Sequence, residues 1–295
     1  MTQTTVPPGG ARFSLVPLGD VSGLTGAQQQ ANSVAAGVSA LNRPEDGSWD
    51  PSDPANFYFA TTASFEGISR LWKLEFDDSA NVLAGGTATI EVASPPVAQG
   101  GPRMLDNLTV NERGQVIFVE DVGGNNYLGG VYQYDPSNGA LARIAQHDPD
   151  RFLPGGSGFL TNNEEASGVI PAPFLGSATY LIDVQNHASS PDPELVEGGQ
   201  LLVVRIPPEP GVGQAVLAAR NLYDECSDDG DQHDAASERG GFRSIEVIRS
   251  SRSSSSPFTV SLRRAASTVP PVNSSMIANI SRPKTGLPLT HAAIM

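Results

Sequence analysis

Gln115-Val-Ile-Phe-Val-Glu-Asp121 is followed, after Gly123-Gly-Asn-Asn126, by Val131-Tyr-Gln-Tyr-Asp135, then by the turn Asp135-Pro-Ser-Asn-Gly139 and by Ala140-Leu-Ala-Arg-Ile144. Three short runs rich in β-branched and aromatic residues, separated by Gly, Asn, Asp and Pro, read as strand, loop, strand, hairpin turn, strand. The same grammar stands on either side. Upstream, Tyr58-Phe-Ala-Thr-Thr62 is followed by Arg70-Leu-Trp-Lys-Leu-Glu-Phe-Asp77 and Gly86-Thr-Ala-Thr-Ile90. Downstream, Tyr180-Leu-Ile-Asp-Val184 is followed by Gly199-Gln-Leu-Leu-Val-Val-Arg-Ile206. The units recur every 60 to 70 residues, roughly the period of propeller blades with long loops on one face. An ordinary β-sandwich would show the same short strands without the repeat.

Eight strands follow from these patterns: Asn56–Thr61, Arg70–Phe76, Thr87–Val92, Gln115–Glu120, Gly130–Tyr134, Leu141–Ala145, Thr179–Val184 and Gln200–Ile206. The 31 glycines and 24 prolines fit a chain of many turns. Helical periodicity is weak and is best over Thr25–Leu41, where Ala and Gln favour a helix and Gly37 opposes it. The sequence therefore predicts an all-β fold, a partial β-propeller of about three to four blades.

The net charge of −14 is uneven. Residues 1–208 carry 23 acidic and 9 basic side chains, while residues 209–295 carry 9 of each and no acid after Glu246. The repeat ends near Pro207-Pro-Glu-Pro210, and Ser250-Ser-Arg-Ser-Ser-Ser-Ser256 is of low complexity. Two units are expected: 1–208, the repeated β domain, and 209–295, a tail too poor in patterned apolar residues to offset chain entropy. The tail is read as an interaction segment or as a shifted reading frame that replaces the end of the domain.

An acidic domain argues against nucleic acid as a partner, since phosphate contacts need a basic footprint. No apolar run is long enough to span a bilayer, and residues 1–10 lack the segments of a secretory signal. The single cysteine, Cys226, excludes an intrachain disulfide framework. Oligomeric state leaves no mark. Gly155-Gly-Ser-Gly158 lacks the strand–elbow–helix context of a hydrolase nucleophile, and the Gly-rich loops lack the lysine of a P-loop.

Oxygen ligands are plentiful instead. Arg43-Pro-Glu-Asp-Gly-Ser-Trp-Asp-Pro51 places Glu45, Asp46 and Asp50 in a loop stiffened by proline. Taken alone it reads first as a solvated turn and second as a cation loop, and the recurrence of acidic loops along the chain adds weight to the latter. Further clusters are Asp106-Asn107, Glu120-Asp121 with Asn125 and Asn126, and Asn162-Asn-Glu-Glu165, followed at a strand end by Asp183-Val-Gln-Asn-His187. In a propeller, loops of successive blades converge on the axis, so carboxylates remote in sequence could share a hard cation such as calcium. The adjacent pair Glu164-Glu165 is unremarkable on a surface and needs a cation in a cleft. His147, in Gln146-His-Asp-Pro149, reads as a turn residue without a role; Asp77, Asp78, Asp148 and Asp150 read as solvated.

These motifs, taken together, resemble one family. RPEDGSWDP before FYFATT, SRLWKLEFDD, MLDNLTVNERGQVIFVEDVGGNN, HDPDRF, NNEEASGVI, LIDVQNH and ELVEGGQLLVVRIP occur in the order seen in the PhoX-like family of bacterial alkaline phosphatases, over residues 12–208. The resemblance implies a β-propeller and a cluster of calcium and iron ions that hydrolyses phosphomonoesters, in a periplasmic or extracellular setting. It also implies, as metal ligands or their neighbours, Glu45, Asp106, Asn107, Asp121, Glu165, Gln185 and His187. The family's upstream half, with its Cys- and Glu-containing iron-ligand segment, has no counterpart here. The expectation is therefore an incomplete metal-dependent phosphomonoester hydrolase without turnover of its own. The alternative is a non-catalytic, calcium-stabilised propeller that binds a partner.

Overall fold

A computed structural model describes residues 6–189, 191 and 197–206 in full, and 215–217, 244–245 and 292–294 as backbone. The body consists of three successive antiparallel meanders. The first is β3 (Pro44–Trp49), β4 (Asn56–Thr61), β5 (Arg70–Phe76) and β6 (Gly86–Ala93), with β1 (Ala11–Phe13) added to β6 at the outer edge. A short strand β2 (Leu15–Pro17) and a helix α1 (Gly26–Ala35) precede it in the chain. The second meander is β7 (Leu105–Val110), β8 (Val116–Glu120), β9 (Gly130–Asp135) and β10 (Ala140–His147). After a single helical turn, α2 (Pro149–Phe152), comes the third: β11 (Glu164–Pro171), β12 (Thr179–Ser189) and β13 (Glu197–Arg205).

All eight strands read from the sequence are present. Asn56–Thr61 and Arg70–Phe76 match β4 and β5 residue for residue, and β12 runs on to Ser189. The helix is real but shorter than Thr25–Leu41. Thr25 caps it, its hydroxyl accepting from the Gln28 N–H while Gln28 returns its amide oxygen to the Thr25 N–H. It ends at Ala35, two residues before Gly37 at φ 73°. Asp135-Pro-Ser-Asn-Gly139 forms the expected hairpin turn, with Asp135 capping Ser137 and Gly139 at φ 71°.

The pattern did not reveal the first strand of each meander. β3, β7 and β11 carry the polar clusters, which read as loops or strand approaches. Each is disguised by a β-bulge: the register slips between Pro44 and Gly47, between Leu105 and Leu108, and between Glu165 and Gly168. A bulge breaks the two-residue alternation on which strand recognition rests.

The meanders stack face to face. Tyr58, Ala60 and Leu71 of the first pack with Leu108, Val116, Phe118 and Tyr132 of the second. Ile117, Val119 and Val131 turn the other way, onto Val169, Ile182, Leu202 and Val204 of the third. Strand β8 thus serves two cores, which is why Val116-Ile-Phe-Val119 is apolar without interruption. The outer face of the first meander is covered by Phe13, Leu15 and Leu41 over Phe59, Trp72 and Leu74. In this stack β3 lies against β7 and β7 against β11, so the first strands form a common seam.

Each sheet is open among the described residues. The backbones of Ala215–Leu217 and Ser244–Ile245 add parallel to β10 and β13, and Ala292–Ile294 pairs with β2. The expectation of a structureless tail from residue 209 otherwise lies outside the described residues. No described helix is long and apolar enough to cross a membrane.

Candidate metal centre

The seam is where the acidic residues gather. Glu45 in β3, Asp106 in β7 and Glu165 in β11 occupy one position in the three meanders, 61 and 59 residues apart. A second repeated contact adds to them. In each meander the residue after the last cross-strand partner of the first strand donates its N–H to the residue preceding that strand: Thr62 to Arg43, Asp121 to Met104 and His187 to Asn163, at 2.9, 3.1 and 3.1 Å. Asp121 is thereby brought beside β11, where it forms an isolated antiparallel bridge with Glu165.

Asp106, Asp121 and Glu165 converge. One carboxylate oxygen from each lies within 4.8 Å of the others, and all three side chains are half-buried. Ligand oxygens 2.3–2.6 Å from a calcium ion can stand about 5 Å apart across it, so this spacing suits a shared ion. The electrostatics point the same way. Burial, with the charges of Glu45, Asp121 and Glu165, pushes Asp106 up to about 7 against the opposing pull of Arg43. Glu165 is raised by burial and by Asp121, and His187 only partly relieves it. Carboxylates this crowded either share protons or take a cation.

The remaining predicted residues form a periphery. Glu45 stands 3.5 Å from the Arg43 guanidinium and acts on Asp106 through its charge. Asn107, with its amide oriented to satisfy both partners, donates to the Ser167 carbonyl at 2.7 Å and to Asp106 Oδ2 at 3.3 Å. His187 Nε2 lies 3.6 Å from Glu165, and its Nδ1 is 2.9 Å from Glu197. Burial pulls that imidazole down, but Glu197 and Glu165 outweigh it and hold it above its ordinary value. Gln185 stays outside the carboxylate group, donating to Glu197 at 2.7 Å and taking the Ser167 hydroxyl at 3.3 Å.

Several readings of single residues are corrected. Asp50 is no candidate ligand. Buried, it accepts from the Ser52 N–H and hydroxyl and from the Asp53 N–H, the turn reading of that loop. Asp46 is also committed, to the N–H groups of Gly47 and, across the seam, Leu108. Glu164 and Glu165 are not one unit, because alternation along β11 sends them apart. Glu165 joins the cluster, while Glu164 is fully buried and accepts from the Gly129 N–H. His147 is not a turn residue. It ends β10, has no exposed surface, and sets Nδ1 3.2 Å from Glu164.

Glu197 escaped the sequence reading. Its signal was the alternation Asp183, Gln185, His187, which puts three polar side chains on one face and requires a partner on the adjoining strand. Cys226, which the resemblance does not match to an iron ligand, lies outside the described residues. Comparison with protein-family models and with curated proteins finds no match for this chain.

Proposed function

We propose that Asp106, Asp121 and Glu165 hold a hard divalent cation, calcium, on the axis of a propeller-type stack, and that this cation serves phosphomonoester hydrolysis of the PhoX-like kind. The convergence of three carboxylates within 4.8 Å at the seam carries the reading. The donors fit: carboxylates with neighbouring amides suit calcium, magnesium or manganese, whereas thiolates and several imidazoles would suit zinc. Iron enters by the resemblance alone, as does an exported location. Asp106, Asp121 and Glu165 would bind the ion, Asn107 and His187 would orient Asp106 and Glu165, and Glu45 would add negative charge at the rim. A cation so held supplies charge neutralisation and orientation for a phosphate group.

A second reading rests on the same place. The three ligands come from the second and third meanders, so an ion would also staple the two together, and a calcium-stabilised binding module needs no more. Titration calorimetry separates the readings. Both expect saturable calcium binding by the chain. The hydrolase reading further expects inorganic phosphate to bind the calcium-loaded chain and not the chain in chelator. Calcium binding without calcium-dependent phosphate binding would leave only the stabilising role, and no calcium binding would remove both.

A further inference from the structure

Two buried carboxylates lie immediately beside cluster residues and belong to neither reading. Glu120 precedes Asp121, and Glu164 precedes Glu165. Neither has any exposed surface. They take consecutive backbone donors: the Gly129 N–H goes to Glu164 Oε1 at 2.9 Å, and the Gly130 N–H to Glu120 Oε2 at 2.7 Å. Glu120 also accepts the Arg103 N–H, three residues before Asp106. His147 lies behind Glu164, its Nδ1 3.2 Å from Oε1, while its backbone N–H donates to the Gly129 carbonyl at 2.9 Å.

The glycines leave little room for a side chain. A Cβ at Gly129 would meet His147 Nδ1 at 3.1 Å, and one at Gly130 would meet Glu120 Oε2 at 2.9 Å. The arrangement is also poor as a stabilising device. Glu164 Oε2 and His147 Nε2 have no hydrogen-bond partner among the described residues, although both are buried. An apolar pair of similar volume would commonly stabilise such a site as well or better.

We infer that Glu120 and Glu164 are positioning residues that lock the loop 121–130 between β7 and β11, and so fix Asp106, Asp121 and Glu165 in convergence. The inference rests on the cation reading above. Glu120 joins the approach to β7 to the end of the loop, and Glu164 joins that same end to β11. Each therefore fixes one ligand-bearing strand relative to the loop that Asp121 begins. Alternation does the rest: with Glu164 anchored inward, Glu165 must face the seam.

The probe is terbium, titrated into the full 295-residue chain, with luminescence lifetimes in H2O and D2O to count bound waters. Glu164→Met removes the acceptor at similar volume, and Glu120→Gln turns one acceptor into a donor facing an N–H. Each is expected to weaken binding by about 10- to 100-fold and to admit one more water to the bound ion. Glu164→Gln keeps the accepting oxygen and is expected to restore affinity to within about threefold of the original. A merely structural role would lower the melting temperature and leave the affinity and lifetime of the folded protein unchanged. Unchanged affinity and lifetime in Glu164→Met and Glu120→Gln would overturn the inference. Absence of saturable binding by the unaltered chain would instead overturn the cation reading, and this inference with it. Where Glu164→Met does not fold, His147→Gln, which leaves Glu164 in place and removes its backing ring, gives the same two readouts.

Discussion

At the junction of the first and second meanders, Thr62 donates its hydroxyl to the Leu105 carbonyl, and Asp46 accepts the Leu108 N–H at 3.1 Å. At the junction of the second and third, the place of Thr62 is taken by Asp121, which faces Glu165, and the place of Leu105 by Glu164. The backbone plan is the same, down to the bulge in each first strand. The closures differ in kind. The first is made of neutral or singly charged hydrogen bonds that need no further partner. The second concentrates carboxylates whose mutual repulsion the chain does not cancel. A repeated fold supplies equivalent positions, and substitution at a few of them turns one joint into a candidate binding site while its neighbour stays structural.

The largest expected effect tests whether the first joint is independent of cation. Phe118, fully buried and stacked on Tyr132 with ring centroids 5.3 Å apart, belongs to the first core. Phe118→Ala should cost about 3–5 kcal/mol, and urea unfolding should give the same loss in calcium and in chelator. A loss that depended on calcium would mean that the two joints are coupled. The pH dependence of the second joint comes next. The folded-state pKa of Asp106 is raised from 3.8 to about 7, so protonation favours the folded chain. That contribution is complete below about 3.8 and is lost as pH rises through about 7. Glu165, also raised, adds in the same direction. In chelator the melting temperature should therefore fall between pH 4 and 8, and calcium should suppress the fall. A flat profile in chelator would show the cluster to be solvated and uncoupled.

A direct exchange between the joints is smaller. Thr62 is buried, and Thr62→Asp would set a carboxylate against the Leu105 carbonyl, acceptor facing acceptor. The loss in chelator should be about 1–3 kcal/mol. Calcium should recover part of it, because Asp106 stands one residue from Leu105. No recovery would show that the second joint depends on more than an acid at the closing position, and would direct attention to Glu120 and Glu164.

The sequence disclosed the frame and the residues of the joint, but not their division of labour. Strands such as Asn56–Thr61 were legible because their aromatic run is unbroken by a bulge and their ends are marked by turn residues. The first strands were not, because bulges, Pro44, Gly47 and the carboxylates erase the alternation, and these are the strands that carry the cluster. Asp106, Asp121 and Glu165 were named from polar clusters and family motifs, yet their convergence depends on meander stacking, which no local pattern encodes. His147 was misread, and Glu164 was not told apart from Glu165, for a related reason. In sequence a histidine before Asp-Pro looks like a turn residue and two adjacent glutamates look alike, and only the contact of His147, at the end of β10, with Glu164, at the start of β11, shows these side chains buried against each other.

The smallest effect concerns Glu45, which holds the same strand position as Asp106 and Glu165 but at the first joint. Its carboxylate is paired with Arg43 at 3.5 Å and lies outside the group of three. Its influence is the charge it places on Asp106. Glu45→Gln removes that charge without removing a ligand. Calcium-dependent thermal stabilisation should weaken by less than in Glu165→Gln, yet by more than in Asp78→Asn, whose exposed side chain caps the turn to Ala80 away from the seam. The measurement is the difference in melting temperature between calcium and chelator for each variant. An effect of Glu45→Gln as large as that of Glu165→Gln would move Glu45 into the ligand set and extend the site across both joints. An effect equal to that of Asp78→Asn would confine the site to the second joint, where the three oxygens already meet.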